Sequence, residues 1–215
     1  MAPHPADRDA LDAEPAKPVL VLVRHGRTEW SHTGRHTGRT DIPLDDQGQR
    51  VASAMRPLLE RFDFAQVRSS PLQRARRTAE IAGLGPVTLD DDLMEWDYGA
   101  YEGLTTAQIR KQRGDNWRLF DAGVAPGGPG QTQGEDIHQV ADRARAVLNR
   151  TWQPLQRGPV ALVGHGHMLR VLTTVWLGMP PESGAMLELG TGAICILSEQ
   201  HEVRTIRLWN RTTSG

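Results

Sequence analysis

A single cysteine in 215 residues leaves no internal disulfide to form, which excludes a disulfide-stapled scaffold and makes a reducing compartment the natural setting. A cytoplasmic location is the expectation that follows. Cys195 sits in the apolar run Gly192-Ala193-Ile194-Cys195-Ile196-Leu197, which suits a buried strand position better than a reactive thiol. No apolar run approaches the roughly 20 residues of a membrane-spanning helix. Neither sign of charge dominates: 25 Lys and Arg against 26 Asp and Glu leave a formal charge of -1, without the basic excess of a nucleic-acid binder. Internal repeats and heptads are absent. The opening Met1 to Lys17, rich in Ala, Pro and Asp, has no apolar core and fails as a signal peptide. It is expected to be a disordered tail, with residues 18–210 forming one domain.

Within that domain, apolar strand-like runs alternate with amphipathic helical patterns, the mark of an α/β layer fold. Val19-Leu20-Val21-Leu22-Val23 reads as a strand buried on both faces, and Pro159-Val160-Ala161-Leu162-Val163 as another. Short strands are expected at Ala65 to Arg68 and Val87 to Leu89, and two or three more between Met186 and Leu208 around a Glu-Gln-His-Glu turn. Asp45 or Asp46 can cap a helix with the apolar face Val51, Met55, Leu58, Leu59 and Phe62, which Pro57 should kink or shorten. Ser70 followed by Pro71 signals another helix start. The clearest helix runs from Glu135 to Trp152, and one from Met168 to Leu177 ends at Gly178. Before the clearest helix, residues 121–134 hold five Gly and two Pro in fourteen positions and read as a lid or as slack.

The chemistry gathers where strands end. Arg24-His25-Gly26 follows the first strand, and Gly164-His165-Gly166-His167 follows the later one. Two parallel strands would thus deliver a histidine each to the crevice of an open sheet. Each could instead be a loop histidine satisfied by backbone, and His165 with His167 could in principle bind a metal. Only Asp90-Asp91-Asp92 offers hard ligands, however, and no His-Glu-x-x-His spacing occurs. In this arrangement Arg24 is an anion clamp, His25 a nucleophile or base, and Gly26 lets backbone approach a ligand. Arg74, in the first turn of the helix after Ser70-Pro71, can join Arg24 on phosphate oxygens with help from the helix N-terminus. Arg76 and Arg77 read as a solvated basic face. Glu95, among Leu93, Met94 and Trp96, has an apolar setting that favours a protonated carboxyl and is the candidate proton donor; a plain loop acid is the alternative.

These segments occur in a telling order: Arg24-His25-Gly26, Thr28-Glu29-Trp30, Thr37-Gly38, Ser70-Pro71-Leu72-Gln73-Arg74-Ala75, Glu95 to Gly103, and Gly164-His165-Gly166. Together they resemble the histidine phosphatase superfamily, which includes cofactor-dependent phosphoglycerate mutases and many phosphatases. The resemblance spans roughly Val19 to Leu208. It implies a three-layer α/β/α sandwich with a mostly parallel, mixed central sheet. It further implies that His25 becomes phosphohistidine, that Arg24, Arg74 and a cationic His165 hold the phosphoryl oxygens, and that Glu95 protonates the leaving group and then activates water. Ser31, Thr37, Gly38, Tyr98, Gly166 and His167 would contact the substrate, with Arg35, His36, Tyr98 and His167 near the leaving group. No metal or organic cofactor is required.

Departures from the mutase pattern favour a phosphatase. Thr106 stands where those mutases resemble one another in a Lys, and Leu119 of Trp117-Arg118-Leu119 replaces one of an arginine pair. The stretch between Tyr98 and His165 is also shorter, and Ser31 takes the place of a usual Asn. The segments look closest to broad-specificity acid phosphatases and sugar-bisphosphate phosphatases, implying a metal-independent phosphomonoesterase for small metabolites, sugar phosphates above all. A phosphoglycerate mutase and a non-catalytic phospholigand-binding module are the alternatives. The partner is a small phosphomonoester, not nucleic acid or membrane, and an exposed strand edge could support a homodimer.

Overall fold

The computed structural model describes residues 18–213; the expected tail over residues 1–17 lies outside them. Six strands form one mixed sheet: β1 (Val19–Arg24), β2 (Gln66–Ser69), β3 (Val87–Leu89), β4 (Val160–Gly164), β5 (Ala193–Gln200) and β6 (Val203–Thr212). Their order is β3-β2-β4-β1-β5-β6. The first four are parallel, and β5 and β6 join antiparallel at one side. The helices are α1 (Glu29–His32), α2 (Asp46–Leu59), α3 (Gln73–Ile81), α4 (Thr106–Arg113), α5 (Leu119–Ala122), α6 (Ile137–Leu155) and α7 (Gly166–Leu177).

Both faces of the sheet are covered, which is why β1 and β4 are apolar throughout rather than alternating. Val19, Val21 and Val23 pack with Ala161 and Val163 against Ala52, Met55 and Leu59 of α2 and Ala75 and Ala79 of α3. Leu20, Leu22, Val160 and Leu162 face the other way, onto Val140, Ala144 and Val147 of α6 and Met168, Leu169 and Leu172 of α7. This is the expected three-layer arrangement. Cys195 is buried in β5, where desolvation pushes its thiol up to about 12, so it is an inert packing group.

Local signals held in most places. Asp45 caps α2, its carboxylate accepting from Gly48 N at 2.7 Å. Pro57 falls in the last turn of α2, which runs two residues beyond it. Gly178 closes α7 at φ +70°. The tail holds two strands, and His201 and Glu202 turn the hairpin between them. The start of α3 differs from expectation. Ser70 is not its cap; the helix opens at Leu72, and the free Gln73 N–H is taken by the Asp41 carboxylate at 2.8 Å. Ser70 Oγ accepts from Leu72 N at 3.3 Å, just short of the helix, and also stands 2.8 Å from His165 Nε2.

Residues 124–134 are neither slack nor part of the cavity described below. Ala125 O accepts from Ala100 N at 2.9 Å, Thr132 hydrogen-bonds Asp97, and Gly127 closes onto Thr132 O at 3.0 Å. A Cβ on Gly99, at φ +51°, would fall 2.5 Å from Ala125 O, so only glycine permits this docking.

Candidate active site

The strand order reverses between β1 and β4, and an open α/β sheet has its ligand crevice at such a point. Register then does the positioning. Arg24 pairs with Gly164 and Ser69 with Val163, so Ser70, His165 and His25 stand in a row, each one residue past the end of β2, β4 and β1. Backbone bonds fix the row: His25 N donates to Gly164 O and Ser70 N to Val163 O, each at 3.0 Å. The His25 and His165 rings lie 5.1 Å apart.

Over this row opens a cavity of about 230 Å³ lined by Arg24, His25, Ser31, Gly34, Arg35, His36, Thr37, Glu95, Tyr98, Thr106 and His167. Of the residues singled out in the sequence, Gly26, Arg74, His165, Gly38 and Gly166 are not on its wall. Arg74 and His165 are fully buried behind His25. Gly38 is held by the Glu102 carboxylate, and a Cβ there would sit 2.6 Å from Trp96 O. Gly166 makes room for the Arg24 guanidinium, whose Cζ would be 3.1 Å from a Cβ.

His25 has one nitrogen committed. Its Nδ1 lies 2.7 Å from Gly26 O, and a carbonyl only accepts, so Nδ1 carries the proton and Nε2 is left with its lone pair. Burial, then the charges of Arg74 and Arg24, hold its pKa well below the ordinary histidine value, against the opposing pull of Gly26 O. Gly26 serves a different end from the one expected. A Cβ on it would come 2.4 Å from Gly48 O, so its lack of a side chain admits the first turn of α2 rather than a ligand. Gly26 N donates to Thr78 Oγ1 at 3.0 Å, a support that nothing in the motif announces.

Arg24 donates to Leu189 O, and its Nε is buried with no protein partner. Burial lowers its pKa, while Glu95 and Tyr98 oppose that shift. Arg74, expected beside Arg24 on phosphate oxygens, is gripped by protein groups. Its Nε donates to His165 Nδ1 at 3.1 Å, Nη1 to Thr40 O at 2.9 Å, and Nη2 to Thr37 O and Gly38 O at 3.0 and 2.9 Å. Four of its five N–H groups therefore point into protein.

His165 is expected as a cation under the charge of a phosphate; the hydrogen bonds of the ring as it stands describe its neutral form. Its Nδ1 accepts from Arg74, so its proton sits on Nε2, 2.8 Å from Ser70 Oγ. Burial, Arg74, His25 and Arg24 all push its pKa well down, and it is neutral here. Ser70 was legible only as a helix signal, although its place at the end of β2 beside the Gly-His-Gly strand was the available clue.

The Glu95 setting is polar rather than apolar. Oε1 accepts from Trp96 N at 2.9 Å and Met168 N at 2.8 Å, and Oε2 from His167 N at 3.1 Å. The N-terminus of α7 is thus turned to Glu95. Tyr98 OH meets His167 Nδ1 at 2.5 Å, and the His36 ring lies parallel to His167 with centroids 6.1 Å apart. Burial pushes the Tyr98 phenol well up, and lowers the pKa of both histidines. His36 Nδ1 donates to Leu104 O at 2.9 Å, leaving Nε2 open. Among the described residues no cluster of three His, Cys, Asp or Glu side chains is arranged to hold a metal ion.

A family model described as histidine phosphatase superfamily (branch 1) matches residues 20–212. The chain belongs to that superfamily. An acid phosphatase of Mycobacterium tuberculosis is 36% identical over 195 residues, covering 90% of this chain and 92% of its own length. A sedoheptulose 1,7-bisphosphatase of Saccharomyces cerevisiae is 31% identical over 186 residues, covering 75% of this chain and 68% of its own. The solved structure of a Mycobacterium tuberculosis open reading frame product superimposes with a TM-score of 0.83 at 36% identity, covering 90% of this chain and 97% of that one. This member of the histidine phosphatase superfamily is an enzyme of the phosphatase class. Among its described residues no helix is long and apolar enough to cross a membrane.

Proposed function

We propose that this phosphatase hydrolyses small phosphomonoesters, sugar phosphates first among them, through a phosphohistidine on His25. The observation that carries the reading is the state of His25: a neutral ring with Nδ1 tied to Gly26 O and Nε2 free on the wall of a cavity shared with Arg24 and Glu95. A neutral imidazole is the nucleophilic form, and burial beside Arg74 and Arg24 favours it.

Nε2 forms a bond to phosphorus as the ester P–O bond breaks, and the Glu95 proton passes to the departing alcohol oxygen. Arg24 draws off negative charge on the phosphoryl oxygens. Water then attacks phosphorus and gives its proton to the Glu95 carboxylate; the N–P bond breaks, and inorganic phosphate and free His25 remain. Arg74 acts from behind, by fixing His165 and the loop 37–40 that borders the cavity. The far wall, with Ser31, Arg35, His36, Thr37, Thr106 and His167, offers hydroxyl, imidazole and guanidinium groups to a polyhydroxylated leaving group. The names of the two curated relatives agree with this class.

Thr106 lines the cavity where a mutase would present a Lys, which argues against a retained phosphoglycerate. The test is phosphate release from a panel of sugar phosphates in the presence of a chelator, beside a coupled mutase assay. Release from sugar phosphates without mutase turnover is expected. No release from any ester overturns the reading, and phosphoglycerate interconversion replaces it with the mutase. Hydrolysis that survives His25→Ala would remove His25 from the mechanism.

A further inference from the structure

The segment that presents Glu95 has no ladder or helix to hold it. It runs irregularly over residues 94–98, between the short 3₁₀ turns Asp91–Leu93 and Gly99–Tyr101. Its backbone groups must find partners elsewhere. Arg143, on α6, supplies them. Its Nη1 donates to Asp92 O and Met94 O, each at 2.8 Å, and its Nη2 to Glu95 O at 3.4 Å. The remaining donors go to one carboxylate: Nε to Glu135 Oε1 at 2.7 Å and Nη2 to Glu135 Oε2 at 2.8 Å. All five N–H groups of the guanidinium are used, a set that a lysine cannot reproduce.

Glu135 grips the other side of the same segment. Its Oε2 accepts from Asp97 N at 2.9 Å, its main-chain O from Trp96 Nε1 at 2.7 Å, and its N donates to Asp97 O at 3.0 Å. The pair is largely buried, with side-chain exposures of 14% for Arg143 and 15% for Glu135, so it is little screened by solvent. Neither residue lines the cavity.

We infer that Arg143, locked by Glu135, is the positioning residue for proton delivery by Glu95. This rests on the reading of Glu95 as proton donor. The pair sets where the main chain of residues 92–97 lies, and the three N–H donors at Trp96, His167 and Met168 set the carboxyl upon it. A displacement of well under an ångström would leave His25 and Arg24 intact and degrade only the proton transfer.

Leaving-group dependence separates this role from a merely structural one. Departure of dinitrophenolate needs no proton, whereas departure of an alkoxide does. kcat/KM is measured for dinitrophenyl, nitrophenyl, phenyl and alkyl phosphates with the wild type, Glu95→Gln, Arg143→Lys and Glu135→Gln. Arg143→Lys and Glu135→Gln are expected to keep dinitrophenyl phosphate within about threefold and to lose about tenfold or more on alkyl phosphates, part of the roughly 10²–10⁴-fold that a positioned acid contributes. Equal losses across the series in both variants, with Glu95→Gln steep, overturn the inference and leave Glu95 in place. A flat series in Glu95→Gln removes the proton-donor reading itself. Should Arg143→Lys fail to fold, Glu135→Gln, which keeps the shape of the pair, decides alone.

Discussion

Arg74 and His165 meet in one buried hydrogen bond, Nε–H to Nδ1 at 3.1 Å. A guanidinium cannot accept, so the bond fixes the histidine tautomer. Protonating His165 would set N–H against N–H. The ¹⁵N spectrum of the free enzyme at pH 7 should therefore contain His165 as the neutral Nε2–H form. A doubly protonated His165 ring would contradict the assignment.

Arg74 holds three backbone carbonyls besides that ring. Arg74→Lys keeps the charge and loses the fork, leaving buried acceptors without donors. A loss of about 2–5 kcal/mol is expected in urea unfolding. A change under about 1 kcal/mol would mean that the loop 37–40 is held by something else.

Acid should destabilise the ligand-free enzyme. Burial lowers the pKa of His25, His165 and His167 well below 6.5, and that of His36 to a lesser degree. In each case the unfolded chain binds a proton that the folded chain refuses. Stability is thus fully present above the unfolded value near 6.5 and is lost as pH falls below it, by up to about 1.4 kcal/mol per pH unit for each histidine. Unfolding free energy measured from pH 8 to pH 5 should fall with a slope of more than one proton, and His167→Gln should reduce that slope. Stability that rises toward pH 5 would reverse the account of these four rings.

Tyr98→Phe removes the hydroxyl that meets His167 Nδ1 at 2.5 Å and leaves its edge-to-face contacts with His36 and His167 in place. One hydrogen bond of this kind is worth about 0.5–1.5 kcal/mol. kcat/KM for sugar phosphates should fall about two- to tenfold. An unchanged value would detach the Tyr98–His167 pair from substrate recognition.

The strands, the two strand-end histidines and the covered sheet were legible because burial on both faces writes itself as uninterrupted Val and Leu, and a crevice follows from topology. Which side chains touch was not legible. Arg24 and Arg74 read alike as cations near an anion, yet one faces the cavity and the other spends four donors on protein. Glu95 read as apolar from its sequence neighbours, because the N-terminus of α7 that surrounds it comes from seventy residues further on. Gly26 read as ligand clearance, because its contact with Gly48 lies across two elements. Ser70 was masked by a helix-start pattern that local chemistry favours and register overrode.

The direct test of His25 as nucleophile is to trap the intermediate: mix enzyme and sugar phosphate, quench in base, and map the retained phosphate by mass spectrometry. A base-stable, acid-labile phosphate on His25, absent from His25→Ala, is the predicted result. Phosphate found on a different residue, or turnover with no phosphoenzyme and an active His25→Ala, would contradict it.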